Sequence, residues 1–203
     1  ACLDVDVLAD LRDALEEVLE DQGKLEYASQ EFTYLCSHQH SIAIGRNATA
    51  KWTNTISIGK DTVASKDHAL AMATSATALG VQSVGIGSYS NASADSAVAL
   101  GQNAKAGGEV PAGADKGTGT AAVAVGYLAN ASAANTVATG KSATATVDNA
   151  VAVGVQSNAS ARAASALGGY SQASAERATA VGAASKASGT ASFAGGTSAN
   201  AAG

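Results

Sequence analysis

The stretch "SIAIGRNATA" at residues 41–50 decides the fold, because the chain repeats it to its end. With the Gly of SIAIG as reference, matching positions fall at Gly45, Gly59, Ala73, Gly87, Gly101, Gly126, Gly140, Gly154, Gly168, Gly182 and Gly196. Every interval is fourteen residues except 101 to 126, which is longer by eleven. Five residues after each reference position stands Ala, from Ala50 to Ala201. Two residues before it the side chain is always small. One and three before it stand large aliphatics, as in Ile42/Ile44, Ile56/Ile58, Val84/Ile86, Val98/Leu100, Val123/Val125 and Val151/Val153. A fixed period of this kind is the signature of a stacked repeat.

Side chains alternate across a strand. Each aliphatic pair therefore shares one face of a short strand, and the small residue between them points the other way. On this reading the aliphatics and the Ala methyls fill the coil, and Ile42 and Ile44 lie on its inward face. The reference glycines (Gly45, Gly59, Gly87, Gly101, Gly126 and Gly154 among them) mark a sharp turn or a close backbone approach. The second half of the unit, "RNATA", alternates again, with small residues at +3 and +5 and polar ones at +2 and +4. It reads as a second strand with a polar outer face. Two strands and two turns in fourteen residues make one coil of a β-solenoid. Burial at ~25 cal/mol per Å² stabilises so thin a coil only weakly. Its small-residue face also calls for a closely packed neighbour, so a parallel homotrimer is expected.

The stretches "SIAIGRNATA", "SAVALGQNAKA" and "AAVAVGYLANAS" resemble the head repeats of trimeric autotransporter adhesins, the YadA-like family. The resemblance covers about residues 41–203 and implies a left-handed parallel β-roll, with three rolls around one axis. The same repeats occur in bacteriophage fibres, so the repeat specifies an architecture more firmly than a role. Late repeats depart from the pattern: Ser165, Thr179 and Gly195 replace aliphatics. The family's stalk and outer-membrane barrel have no counterpart in this sequence.

Residues 1–40 read differently, as an acidic helical attachment and trimerisation segment ahead of the repeat domain at 41–203. Leu8, Leu11, Leu15, Val18, Gln22, Leu25 and Phe32 follow the alternating three–four spacing of a coiled-coil seam. The alternative is one amphipathic helix packed on a neighbouring protein. Ten acids and two bases fall in this segment, against seven acids and ten bases in the rest, for a net charge of −5. The acidic start disfavours nucleic acid as a partner and suits a basic docking protein. The remainder lacks the basic stripe with aromatics that nucleic-acid binding needs.

No stretch is apolar enough to span a membrane. No secretory signal is visible either, and together with the acidic segment this favours a virion fibre, with a bacterial cell-surface adhesin as the alternative. Both place the chain on a surface, facing an unidentified receptor. Catalysis has no supporting motif. An ice-binding array is disfavoured because the +4 column (Thr49, Val63, Thr77, Asn91, Lys105, Asn130) is no regular Thr ladder.

Four further features carry expectations. The excess within "GGEVPAGADKGTGT", near residues 107–120, reads as a surface loop that leaves the stack intact. Trp52, Tyr89, Tyr127 and Tyr170 are the candidate contact aromatics. Cys2 and Cys36 read as two reduced thiols, or as covalent links to symmetry mates or to a virion partner. His38 and His40 share a face if the chain is extended. Three copies would then set six imidazoles around the axis, a site suited to iron, nickel or zinc; no other cofactor is expected.

Overall fold

The computed structural model describes residues 40–108 and 120–203, together with the backbone of 34–36. Among these residues there is no helix; the chain is a parallel β-solenoid of two sheets. The first sheet has twelve strands, every second strand in chain order from β1, Tyr34–Cys36, to β23, Asn200–Ala201. The second has the eleven that alternate with them, from β2, Ile42–Ile44, to β22, Phe193–Gly195. A coil consists of a three-residue strand of the second sheet, a corner, a short strand of the first sheet and a second corner. In the first complete coil these strands are β2, Ile42–Ile44, and β3, Ala48–Ala50.

The fourteen-residue period becomes the register. Ile42 pairs with Ile56 and Ile44 with Ile58, and Thr49 pairs with Val63. Backbone hydrogen bonds run from each coil to the next, as in Ile42 N–H to Thr55 O (2.8 Å) and Gly59 N–H to Ile44 O (2.7 Å). The stack therefore holds itself together mainly through its backbone.

The interior corrects the sequence reading. Ala43 is buried while Ile42 and Ile44 on either side of it are exposed, and the other coils alternate in the same sense. Four positions per coil point inward: four and two residues before the reference Gly, and three and five after it. They hold Ala, Ser, Thr or, at Gly85, nothing; the largest fully buried side chains are Thr55, Thr62 and Thr136. The pairs predicted to fill the coil (Ile42/Ile44, Ile56/Ile58, Val84/Ile86, Val98/Leu100, Val123/Val125 and Val151/Val153) lie on the outer face of the second sheet instead. Alternation had grouped them correctly and assigned them to the wrong side. The two sheets sit so close that only a Cβ and at most two further atoms fit between them.

Interior hydroxyls are mostly satisfied locally. Ser or Thr at the first inward position after a corner donates to the carbonyl three residues back, as Ser157 does to Gly154 O (2.9 Å) and Thr136 to Ala133 O (2.7 Å). Where Ala stands instead, its backbone N–H reaches the same acceptor, as Ala48 does to Gly45 O. Ser90 and Ser192 are exceptions, each with an unpaired hydroxyl.

Both corners turn through left-handed backbone. Asn47, Asp61, Tyr89, Asn103, Leu128 and Tyr170 have φ between 55° and 62° at the +2 corner, and Asn54, His68 and Asn149 between 58° and 62° at the other. The reference Gly is also left-handed, and its neighbour along the stack explains why. A Cβ on Gly154 (φ +132°) would stand 2.5 Å from the carbonyl of Gly168. Ala73 is the single non-glycine in this column and sits at φ 88°.

Two boundaries differ from, or sharpen, the sequence reading. Strand β1, Tyr34–Cys36, pairs in parallel with β3, Tyr34 opposite Ala48 and Cys36 opposite Ala50. The first sheet thus begins inside the segment 1–40 that was read as helical. The seam residues Leu8 to Phe32, with Cys2 and His38, lie outside the described residues. At the insertion the stack continues unbroken: Val98 pairs with Val123 and Ala106 with Ala131 across the eleven extra residues.

Two outcomes test this architecture by circular dichroism melting. Ala73→Gly should stabilise the chain by about 1 kcal/mol, since a left-handed non-glycine is relieved, while Gly154→Ala should destabilise it by more because backbone must move. Deleting residues 108–118 restores the fourteen-residue spacing and should leave the melting temperature nearly unchanged.

Candidate functional site

The solenoid offers two flat outer faces and two corners, and their chemistry differs. The outer face of the second sheet carries two aliphatic columns. One runs Ile42, Ile56, Leu70, Val84, Val98, Val123, Val137 and Val151; the other includes Ile44, Ile58, Met72, Ile86, Leu100, Val125, Val153, Leu167 and Val181. Parallel in-register pairing sets like residues on top of one another at about 4.8 Å. The result is an apolar strip, unbroken in the first column from Ile42 to Val151 and interrupted in the second at Thr139, with Ile42 45% exposed and the central members half-buried. Exposed apolar patches of this extent mark interaction surfaces.

The outer face of the first sheet is polar. From Asn130/Ser132 through Thr144/Thr146 and Asn158/Ser160 to Gln172/Ser174 it presents hydroxyls and amides in two columns. Near the insertion this face carries a cleft of about 260 Å³ lined by Asn91, Lys105, Gly107, Gly108, Asn130 and Ser132. Asn91 Oδ1 is buried there without a hydrogen-bond partner.

The corner before the second sheet is charged and internally bonded. Asp67, Asp95 and Asp148 each accept the backbone N–H of the residue fourteen earlier, at 3.1, 2.8 and 3.0 Å. Lower down the stack, Glu176 lies between Arg162 (3.8 Å) and Arg177 (3.7 Å), all solvent-exposed. Such pairs contribute little to stability. These carboxylate caps were not anticipated; their signal was the recurrence of Asp eight residues after the reference position.

The predicted contact aromatics do not form one patch. Tyr89 and Tyr170 stand at +2 and Tyr127 at +1, all on the corner after the second sheet. Trp52 stands at +7, beyond the first sheet, with the Lys66 ammonium 5.1 Å from its ring centroid, a cation–π contact between successive coils. Leu128, Val155 and Phe193 are exposed as well and were not singled out in the sequence.

His40 is exposed, and its φ of 59° turns the chain where the metal argument required it to be extended. The parity linking it to Ile42 and Ile44 therefore fails at that residue. It occupies the corner column of Asn54 and His68, whose side chains meet at 3.3 Å (Nδ2 to Nε2). Among the described residues no group of three or more His, Cys, Asp or Glu side chains is arranged to hold a metal, and there is no helix long and apolar enough to cross a membrane.

No curated protein matches the chain. The family model described as the YadA head domain repeat matches residues 39–51, 78–104, 118–143, 145–171 and 173–199, more than half of the sequence. The matched segments span the solenoid on both sides of the insertion. Heads of this family are surface-exposed, adhesin-like and generally non-enzymatic. Period, register and family model agree, and the chain belongs to the YadA head domain repeat family.

Proposed function

We propose that the chain assembles as a parallel homotrimer and serves as a non-enzymatic attachment fibre. One observation carries this reading: a continuous aliphatic strip lies on one face of a solenoid whose interior holds nothing larger than Thr. The strip runs along the outer face of the second sheet, and three copies facing a common axis would remove it from water. The polar face of the first sheet then points outward, where an attachment partner would meet it. In the same proposal the seam residues Leu8 to Phe32, ahead of β1, extend the axis as a coiled coil, and the acidic segment docks the fibre to its carrier.

The carrier in this reading is a phage particle, because the concentration of acids in residues 1–40 suits a basic virion protein. Display on a bacterial cell as an autotransporter adhesin is the second reading, and the family match supports it equally. Immunogold labelling of particles and of cells separates the two.

Assembly is tested on the full chain by sedimentation and light scattering. The wild type should be trimeric. Val98→Asp with Val123→Asp, which sets two charges side by side in the strip, should yield monomer at micromolar concentration. A wild-type chain that remains a stable monomer would overturn the proposal.

A further inference from the structure

We infer that the corner after the second sheet, where Tyr89, Tyr127, Leu128, Val155 and Tyr170 project, is a seam against a second copy of this chain. The neighbour's opposite corner supplies the other half. This inference rests on the parallel assembly proposed above and goes beyond it in naming where adjacent subunits meet.

The first argument is energetic. Tyr89 and Tyr170 are 58% and 60% exposed, in left-handed backbone at φ 60° and 62°; Leu128 shares that conformation at φ 57°. Left-handed backbone favours Gly and Asn and is costly for large side chains. The coil itself does not require a large residue there, since Asn47, Ser142 and Ala184 hold the equivalent position in other coils. Large apolar residues that bear both a backbone cost and exposure to water point to a partner that covers them.

The second argument is continuity. Tyr127 follows Gly126 and Val125, and Val155 follows Gly154 and Val153. The apolar strip of the second sheet therefore wraps around this corner in the middle coils. It does not wrap around the other, where Asp95, Asp148, Arg162, Glu176 and Arg177 stand.

The third argument is symmetry. Parallel copies that turn the same sheet toward a common axis bring unlike corners together: the corner after the sheet in one copy lies beside the corner before it in the next. In the coil of Tyr89 that second corner carries Val81 and Gln82. Val81 is the one large exposed aliphatic on that corner. In the coil of Tyr170 it carries Arg162, followed one coil later by Arg177, with side chains 68% and 71% exposed. An apolar side chain thus faces one tyrosine ring and a cation faces the other, the pairing an aromatic ring accepts best.

The test uses the full chain with Cys2→Ser and Cys36→Ala. Tyr89→Cys is combined with Val81→Cys or, separately, with Gln82→Cys, and each chain is oxidised and run on non-reducing denaturing gels. A seam predicts covalent dimer and trimer from at least one pair and none from any single variant. Nitration of the wild-type chain is read in parallel, with loss of reactivity expected at Tyr89, Tyr127 and Tyr170. A particle that is trimeric by light scattering, yet gives no cross-link and nitrates freely at these tyrosines, overturns the seam and leaves the trimer standing. In that outcome the tyrosines face outward, toward a receptor. A monomeric chain overturns the underlying assembly instead.

Discussion

The structure depends on how little space lies between its two sheets. Four inward positions per coil accept Ala, Ser or Thr, and at Gly85 even a Cβ would stand 2.4 Å from the carbonyl oxygen of Thr77. An interior of methyl and hydroxymethyl groups removes little apolar surface from water compared with a core of Leu and Phe. Two consequences follow. The coil must be held by its backbone, which is why interior hydroxyls and amides converge on corner carbonyls and every strand except those at the two ends of the stack bonds to the coils on either side. The large aliphatics must also be placed outside, because no inward position can take them.

The corners are set by the same narrowness. A coil of fourteen residues reverses direction twice, and each reversal passes through left-handed backbone. Asn, Asp and Ser recur there because they tolerate that conformation and bond locally. The reference Gly is more strictly required, since a Cβ would press on the carbonyl of the next coil. The column of glycines and the column of inward alanines are thus two results of one constraint, close approach along the stack and close approach across it. Ala73 shows that the first can be relaxed once; the second is never relaxed beyond Thr.

This explains how much of the fold was legible in the sequence. Period, strand positions and the continuity of the stack across the insertion could be read because each depends on spacing alone. The inside and outside of the coil were exchanged, because alternation says which side chains share a face and not which face is enclosed. Enclosure is decided by the distance between sheets, and the small residues encode that distance, although spacing alone assigns them to an external neighbour. The expectation of assembly came from that misassigned face, and its structural support now comes from the aliphatic one. At His40 the error was of another kind: a corner residue was read as part of an extended strand, although Asn54 and His68 in the same column show the corner repeating. The start of the first sheet at Tyr34 was obscured because "YLC" lacks the pattern of a small residue, any residue, then Ala that marks the strand elsewhere.

The departures of the late coils then take on meaning. In the second sheet the inward column stays small to the end, at Ala166, Ala180 and Ala194, while the outward columns lose their aliphatics at Ser165, Thr179 and Gly195. The constraint on the coil interior and the constraint on the outer strip are therefore separable along one chain. The coil persists where the strip fades, as it must if the strip serves contacts between molecules and the interior serves the coil itself. Phe193, 66% exposed in the strip column beside Ser165 and Thr179, shows that the outward position accepts any size once its neighbours no longer form a continuous surface.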